Sequence, residues 1–270
     1  MIDLDLGLEN KVAIVLASSK GLGLACAKGF YNEGANVVIC SRTEEHLIAA
    51  KEEIEKEPSL SEDNEVVYFV CNLKQKSDIE GLIDKTMEKF GKIDILVHNA
   101  GGPPSGPIND ISEQEWDSSI DLNLRSFVRV CRLVVPVMKE EGGGKILSIA
   151  SVSVKQPLSN LVLSNTTRLG VVGFAKTLAN EHAGDNILVN VICPGPTLTD
   201  RMKELIEAES KQSNKPEEEV KKRWTNQIPM GRLGTPEEFA NMVVFLGSKR
   251  ASYITGTVIQ VDGGFVKGSF

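Results

Sequence analysis

Lys11-Val12-Ala13-Ile14-Val15-Leu16-Ala17-Ser18-Ser19-Lys20-Gly21-Leu22-Gly23-Leu24 decides the fold. Its first six residues are an apolar, β-branched run of strand length. Ala17–Gly23 follows as a loop of small residues, and an apolar-periodic segment from Leu24 to Glu33 reads as a helix. Strand, glycine loop and helix in that order aim free helix N–H groups at one point, where a phosphate can bind. Gly21 and Gly23 leave the backbone open to close approach by an anion. Two glycines also fit an ordinary βα turn, so the rest of the chain carries the decision.

Strand-like and helix-like segments alternate outward from this unit. Asn36–Cys40 reads as a strand and Glu44–Lys56 as a helix. Then come strand Glu65–Val70, helix Ser77–Phe90 and strand Ile93–Val97. A long helix spans Ser112 to Met138 and ends at Gly142-Gly143-Gly144. Strand Lys145–Ala150, helix Asn160–His182, strand Ile187–Ile192, helix Pro236–Leu246 and strand Thr257–Val261 complete the series. Strands separated by helices pair in parallel through right-handed crossovers. Continuous apolar strands mean that both sheet faces are covered. The expectation is one α/β domain over 1–270, a Rossmann-type doubly wound parallel sheet with helices on both faces. Its ligand site lies outside the carboxyl ends of the strands, where Ala17–Gly23 falls.

A chain of 270 residues with 41% hydrophobic content can bury one such core. A formal net charge of −7 gives no footprint for nucleic acid. Cys26, Cys40, Cys71, Cys131 and Cys193 are scattered through apolar segments and read as core residues in a reducing compartment. His46, His98 and His182 lie far apart, so no metal site is expected. The first residues carry Asp3, Asp5 and Glu9 without a basic segment, which argues against a signal peptide. No apolar run is long enough for a membrane span, and a cytoplasmic protein is expected.

With these residues in place the chain resembles the short-chain dehydrogenase/reductase family along nearly its whole length. The landmarks are Ser19-Lys20-Gly21-Leu22-Gly23, His98-Asn99-Ala100-Gly101, Asn123, Ser151, Pro194-Gly195-Pro196-Thr197-Leu198-Thr199 and Thr255-Gly256 through Asp262-Gly263-Gly264. Pro229-Met230-Gly231-Arg232-Leu233-Gly234-Thr235-Pro236-Glu237-Glu238 is similar to the tail of 3-oxoacyl-acyl-carrier-protein reductases. The resemblance implies a small-molecule carbonyl or alcohol substrate and NADP(H) as cofactor. Lys20 and Arg42 stand where the family binds the 2′-phosphate, and Ser41 stands where an NAD-selecting acid would be. Ser19, Leu22, Asn72, Leu73, Asn99, Ala100, Gly101, Pro194, Gly195, Thr197 and Thr199 match the remaining cofactor-binding positions. Asn72 equally reads as a turn residue that ends a strand. The charged segment 199–227 matches the family's lid. The family also implies a homotetramer, for which Val130, Leu133, Val134, Val171, Gly173 and Leu178 were read as apolar material on more than one helix face.

Two departures stand out. The family loop opens Thr-Gly, where this chain has Leu16-Ala17. Alanine is tolerable there if it avoids positive φ, so a shifted loop is expected. The family's catalytic tyrosine and lysine, four residues apart, align with Ser164 and Arg168. A phenol near pKa 10 can be tuned toward neutrality by an ammonium, whereas a serine hydroxyl is far less acidic. Arginine stays charged and relays no proton, but it can hydrogen-bond a ribose and supply positive charge. Ser151 can still polarise a carbonyl, and Asn123 can hold a helix kink and a water. The catalytic set is therefore Ser151, Asn123, Ser164 and Arg168, with an altered catalytic group. The sequence also fits a catalytically silent NADP-binding regulator, an inactive partner in a hetero-oligomer, or a non-redox enzyme that uses the nucleotide structurally.

Overall fold

The computed structural model describes residues 5–269. Seven strands form one parallel sheet: β1 Val12–Val15, β2 Asn36–Ser41, β3 Val66–Val70, β4 Ile95–His98, β5 Gly144–Ile149, β6 Ile187–Pro194 and β7 Val258–Val261. Their spatial order is β3-β2-β1-β4-β5-β6-β7. Ala13 pairs with Val37 on one side and Ile95 on the other. The chain thus winds away from β1 in both directions, and the switch point lies between β1 and β4.

Nine α-helices flank the sheet among the described residues: α1 Gly21–Asn32, α2 Glu44–Ile54, α3 Lys76–Phe90, α4 Glu113–Ser119, α5 Ser126–Glu140, α6 Val162–His182, α7 Asp200–Ser213, α8 Glu217–Gln227 and α9 Pro236–Gly247. Alternate residues of β1 feed the two layers. Val12 and Ile14 pack in a core with Leu82 of α3, Phe127 of α5 and Val171 of α6. Ala13 and Val15 pack with Phe30 of α1, Leu47 of α2 and Phe239 of α9. This is why the strand reads as unbroken apolar sequence.

Several boundaries differ from the sequence reading for identifiable reasons. Helix α1 begins at Gly21, not Leu24, so the glycine loop supplies its first turn. Ala17 takes φ +48, contrary to the expectation that it would avoid positive φ. Its neighbours hold it there. Asn99 Nδ2 donates to the Ala17 carbonyl at 3.0 Å, and Ser18 Oγ donates to the Val15 carbonyl at 2.6 Å. The turn therefore holds an L-residue here at a strain of about 1 kcal/mol. Helix α6 begins at Val162 because Asn160 sits at φ +60. The long helix expected from Ser112 is interrupted by a π-helical stretch, Ile120–Arg125, that contains Asn123. Its start is set by a reciprocal cap between Ser112 and Glu115.

Of the six apolar and small residues on α5 and α6 singled out for a second helix face, Gly173 is exposed and Leu133 half-buried. Val130, Val134 and Val171 are buried against the sheet, and Leu178 is buried too. The exposed apolar side chain on α6 is Leu169. The five cysteines are buried and free, as expected.

Candidate functional site

A cavity of about 570 Å³ opens outside the carboxyl ends of the strands. Its wall includes Ser19, Lys20, Gly21, Leu22, Ser41, Arg42, Asn72 and Leu73 at one end. Asn99, Ala100, Gly101, Ser151, Ser164, Arg168, Pro194, Gly195, Thr197 and Thr199 line the rest. Two sequence-predicted residues are not on the wall. Gly23 packs inside the loop, where a Cβ would meet the Ala17 carbonyl oxygen at 2.6 Å and Asn99 Nδ2 at 2.8 Å. Its lack of a side chain serves helix–loop packing rather than approach to an anion. Asn123 is the other, buried behind the wall at 1% exposure.

At the first end, the α1 cap residue Lys20 makes no side-chain cap, so the first-turn N–H groups of α1 lack a side-chain acceptor. A Cβ on Gly21 would find only Thr199 in ordinary contact, at 3.7 Å, so the loop surface is open. Lys20 Nζ lies 3.4 Å from Asp200 Oδ2, across the cleft on α7. Asn72 ends its strand in a turn and lies on the wall. Its Oδ1 accepts from the Lys74 N–H at 3.2 Å, closing a turn after β3, and the residue also faces the cavity.

At the other end, Arg168 is 8% exposed. Its Nη1 donates to the carbonyls of Ile149 and Ala150 at 2.9 and 3.0 Å, and its Nη2 to that of Ala100 at 3.4 Å. The guanidinium therefore bridges the ends of β4 and β5. Burial, with a further push from Arg201, lowers its pKa to about 10, and it remains a cation at neutral pH. Ser164 lies one turn earlier on α6, and its hydroxyl has no protein hydrogen-bond partner among the described residues. Ser151 Oγ accepts from the Ser153 N–H at 3.1 Å. Asn123 Nδ2 donates to the Ser119 carbonyl at 3.2 Å, while its buried Oδ1 has no partner. A buried acceptor of this kind calls for a donor such as water.

His98, beside Asn99, is structural. Ser126 Oγ donates to the Leu122 carbonyl at 2.5 Å, so His98 Nε2 carries the proton toward Ser126 at 3.0 Å. Nδ1 then accepts from Ser148 Oγ at 3.1 Å. Burial, with Arg168 adding, pushes its pKa down to about 3. The neutral ring links β4 and β5 to the first residue of α5.

Sequence reasoning missed Arg201, Trp224, Met202 and Leu205, which also line the cavity. They come from α7 and α8, the charged segment read as a lid. The available signal was Met202, Leu205 and Ile206 at helical spacing within that charge. No cluster of three potential metal ligands occurs among the described residues. No described helix is long and apolar enough to cross a membrane.

The family model described as enoyl-(acyl carrier protein) reductase matches residues 16–266. Dehydrogenase/reductase SDR family member 4 of Oryctolagus cuniculus is 38% identical over 258 residues, 95% of this chain and 94% of that protein. The chain belongs to the short-chain dehydrogenase/reductase family. The 3-oxoacyl-[acyl-carrier-protein] reductase FabG of Thermotoga maritima is 33% identical over 96% of this chain and 99% of that protein. L-sorbose reductase from Gluconobacter frateurii, solved with NADPH and L-sorbose, superposes with a TM-score of 0.91 at 34% identity, covering 98% of this chain and 100% of that one. As a short-chain dehydrogenase/reductase the protein is an oxidoreductase that uses a nicotinamide cofactor. The seven-stranded sheet is the fold these relatives share.

Proposed function

We propose that this protein binds NADP(H) and reduces a small-molecule carbonyl or oxidises the corresponding alcohol, with Ser151, Ser164 and Arg168 as the altered catalytic group. What carries the reading is a single cavity that joins the uncapped start of α1 to a buried cation beside two serine hydroxyls. The uncapped N–H groups and the open face of Gly21 suit a pyrophosphate. Lys20 and Arg42 are the cations for the 2′-phosphate, and Ser41 presents no carboxylate to repel it. Ser19 and Leu22 would complete the phosphate loop, and Asn72 and Leu73 would hold the adenine. Asn99, Ala100 and Gly101 leave room for the cofactor, and Pro194, Gly195, Thr197 and Thr199 would hold its nicotinamide half. Asn123 acts from behind the wall, where its free Oδ1 suits a water.

The chemistry a bound nicotinamide supplies is hydride transfer at the carbonyl carbon. Ser151 Oγ and the free Ser164 hydroxyl donate hydrogen bonds to the carbonyl oxygen. Arg168 holds the nicotinamide ribose and keeps the site positive as negative charge develops on that oxygen. Ser164 Oγ passes a proton from water to the oxygen. A serine is a poor acid next to a phenol, and general acid catalysis is typically worth about 10²–10⁴-fold, so plain ketones turn over slowly.

Calorimetry with both cofactors, followed by NADPH oxidation across a carbonyl panel, tests this reading. NADPH should bind more tightly than NADH, and equal or reversed affinities would remove the NADP assignment. The resemblance and exposed Leu169 support self-association as a tetramer. A monomeric mass by light scattering at micromolar concentration would overturn that.

A further inference from the structure

The nicotinamide end of the cavity holds two arginines and, among the described residues, no partner acid for the deeper one. Arg168 is buried, and its recorded partners are neutral backbone carbonyls. Arg201, from the first turn of α7, lies over the same loop. Its Nη2 donates to the Pro103 carbonyl at 2.7 Å, three residues beyond the Ala100 carbonyl that Arg168 holds. Its Nε rests against Gly102, where a Cβ would stand 2.6 Å away. Both guanidiniums face the cavity, and Arg201 is one of the charges acting on Arg168.

The acids nearby are engaged elsewhere. Asp200, the one carboxylate on the wall among the described residues, pairs with Lys20 at 3.4 Å and Lys203 at 3.2 Å. Glu204 meets Arg201 Nη1 at 3.3 Å, but it is 61% exposed and not on the wall. An exposed pair of that kind is weak and leaves the other guanidinium donors available. The wall also carries apolar side chains, Leu158, Leu161, Met202, Leu205 and Trp224. Two like charges beside an apolar chamber are stabilised by an anion that arrives with an apolar body.

We propose that the substrate is an oxo acid or hydroxy acid, with an apolar body against Trp224 and a carboxylate read by Arg201. This rests on the oxidoreductase reading and narrows its substrate class. In the reductive direction a hydride reaches the carbonyl carbon, a proton reaches its oxygen, and the carboxylate is unchanged. Arg201 acts as a specificity residue, and Gly102 is the residue whose small size lets its guanidinium lie over the loop.

The test uses 4-phenyl-2-oxobutanoate and 4-oxo-4-phenylbutanoate, each beside its methyl ester. At least one acid should exceed its ester in kcat/KM by about tenfold to hundredfold, the range of a charge-assisted hydrogen bond. Arg201→Met should bring that ratio to within about twofold, and Arg201→Lys should restore part of it. Gly102→Ala, which keeps the charge but displaces the guanidinium, should lower the ratio as well. NADPH affinity should move less than about twofold in all three, since phosphate binding is assigned to Lys20 and Arg42. Esters that match or exceed both acids would overturn the proposal. So would Arg201→Met that weakens NADPH and leaves the ratio intact, because Arg201 would then be reading the cofactor.

Trp224 fluorescence in a Trp116→Phe background gives a second readout that needs no turnover. Quenching by an acid and not by its ester supports the proposal, and no quenching by either acid overturns it. If NADPH itself fails to bind, the oxidoreductase reading fails separately. The same titration of the cofactor-free chain then decides the carboxylate.

Discussion

The two ends of the cleft differ in how they meet their charges. At the α1 end the cations are exposed and exchangeable: Lys20 lies 3.4 Å from Asp200 on the opposite wall, with both side chains more than half exposed. At the α6 end Arg168 is buried and tied to three backbone carbonyls. A surface pair contributes roughly 0–1 kcal/mol and can trade partners. A buried cation without a counter-charge persists only where its hydrogen bonds are met. The first end is thus suited to take up and release a phosphate, and the second to hold one positive charge beside the reacting oxygen.

Breaking the buried end should have the largest consequence. With the best substrate found, Arg168→Met should lower NADPH-dependent turnover by about 10²–10³-fold, the cost of losing one preorganised electrostatic donor. Arg168→Lys keeps the cation and should change turnover far less, and stopped-time NADPH oxidation separates the two. Breaking the exchangeable end should act on affinity instead. Arg42→Asp should weaken NADPH by roughly 100-fold, through loss of a charge-assisted phosphate contact and gain of a repelling carboxylate. Calorimetry should show NADH much less affected, and a parallel loss of both cofactors would contradict the 2′-phosphate assignment.

The framework behind the cleft gives a smaller, pH-dependent effect. His98 is held neutral with its pKa near 3, by burial first and by Arg168 second. An unfolded chain takes up this proton below about pH 6.5, so His98's contribution is complete above that pH and falls by about 1.4 kcal/mol per unit as pH drops toward 3. Denaturant unfolding should therefore show about 2 kcal/mol less stability at pH 5 than at pH 7 from this residue. His98→Gln should flatten that part of the slope, and an unchanged slope would remove the assignment. The smallest effect belongs to the strained loop. Ala17→Gly should raise stability by about 0.5–1 kcal/mol, because glycine occupies φ +48 freely. A lower melting temperature would show that alanine's limits on the unfolded chain outweigh its strain.

The same contrast explains what could be read from the sequence. β1, β4, β5 and β6 were legible because strands covered on both faces carry unbroken apolar runs. Positions from the phosphate loop and the strand ends reached one cavity because local order and sheet topology place them there. Arg201 and Trp224 were not legible, since their segment resembles a solvated charged helix pair until tertiary packing sets α7 against Pro103. Gly23 packs inside the loop, and in sequence a glycine needed for packing looks like one needed for a ligand. Ala17 was misjudged because the hydrogen bond from Asn99 that holds it comes from 82 residues away.

The central claim is that this chain keeps the cofactor recognition of its family while its catalytic end works with a serine and an arginine. The most direct test measures NADPH affinity and NADPH oxidation together, on the wild type and on Ser164→Tyr, Arg168→Lys and the double variant, with uncharged ketones and 3-oxoacyl thioesters. NADPH binding should be measurable throughout and wild-type turnover slow. Turnover should rise most in the double variant, with each single change doing less because the two groups act as a unit. Robust wild-type turnover that falls when tyrosine and lysine are introduced, with NADPH affinity unchanged, would contradict it.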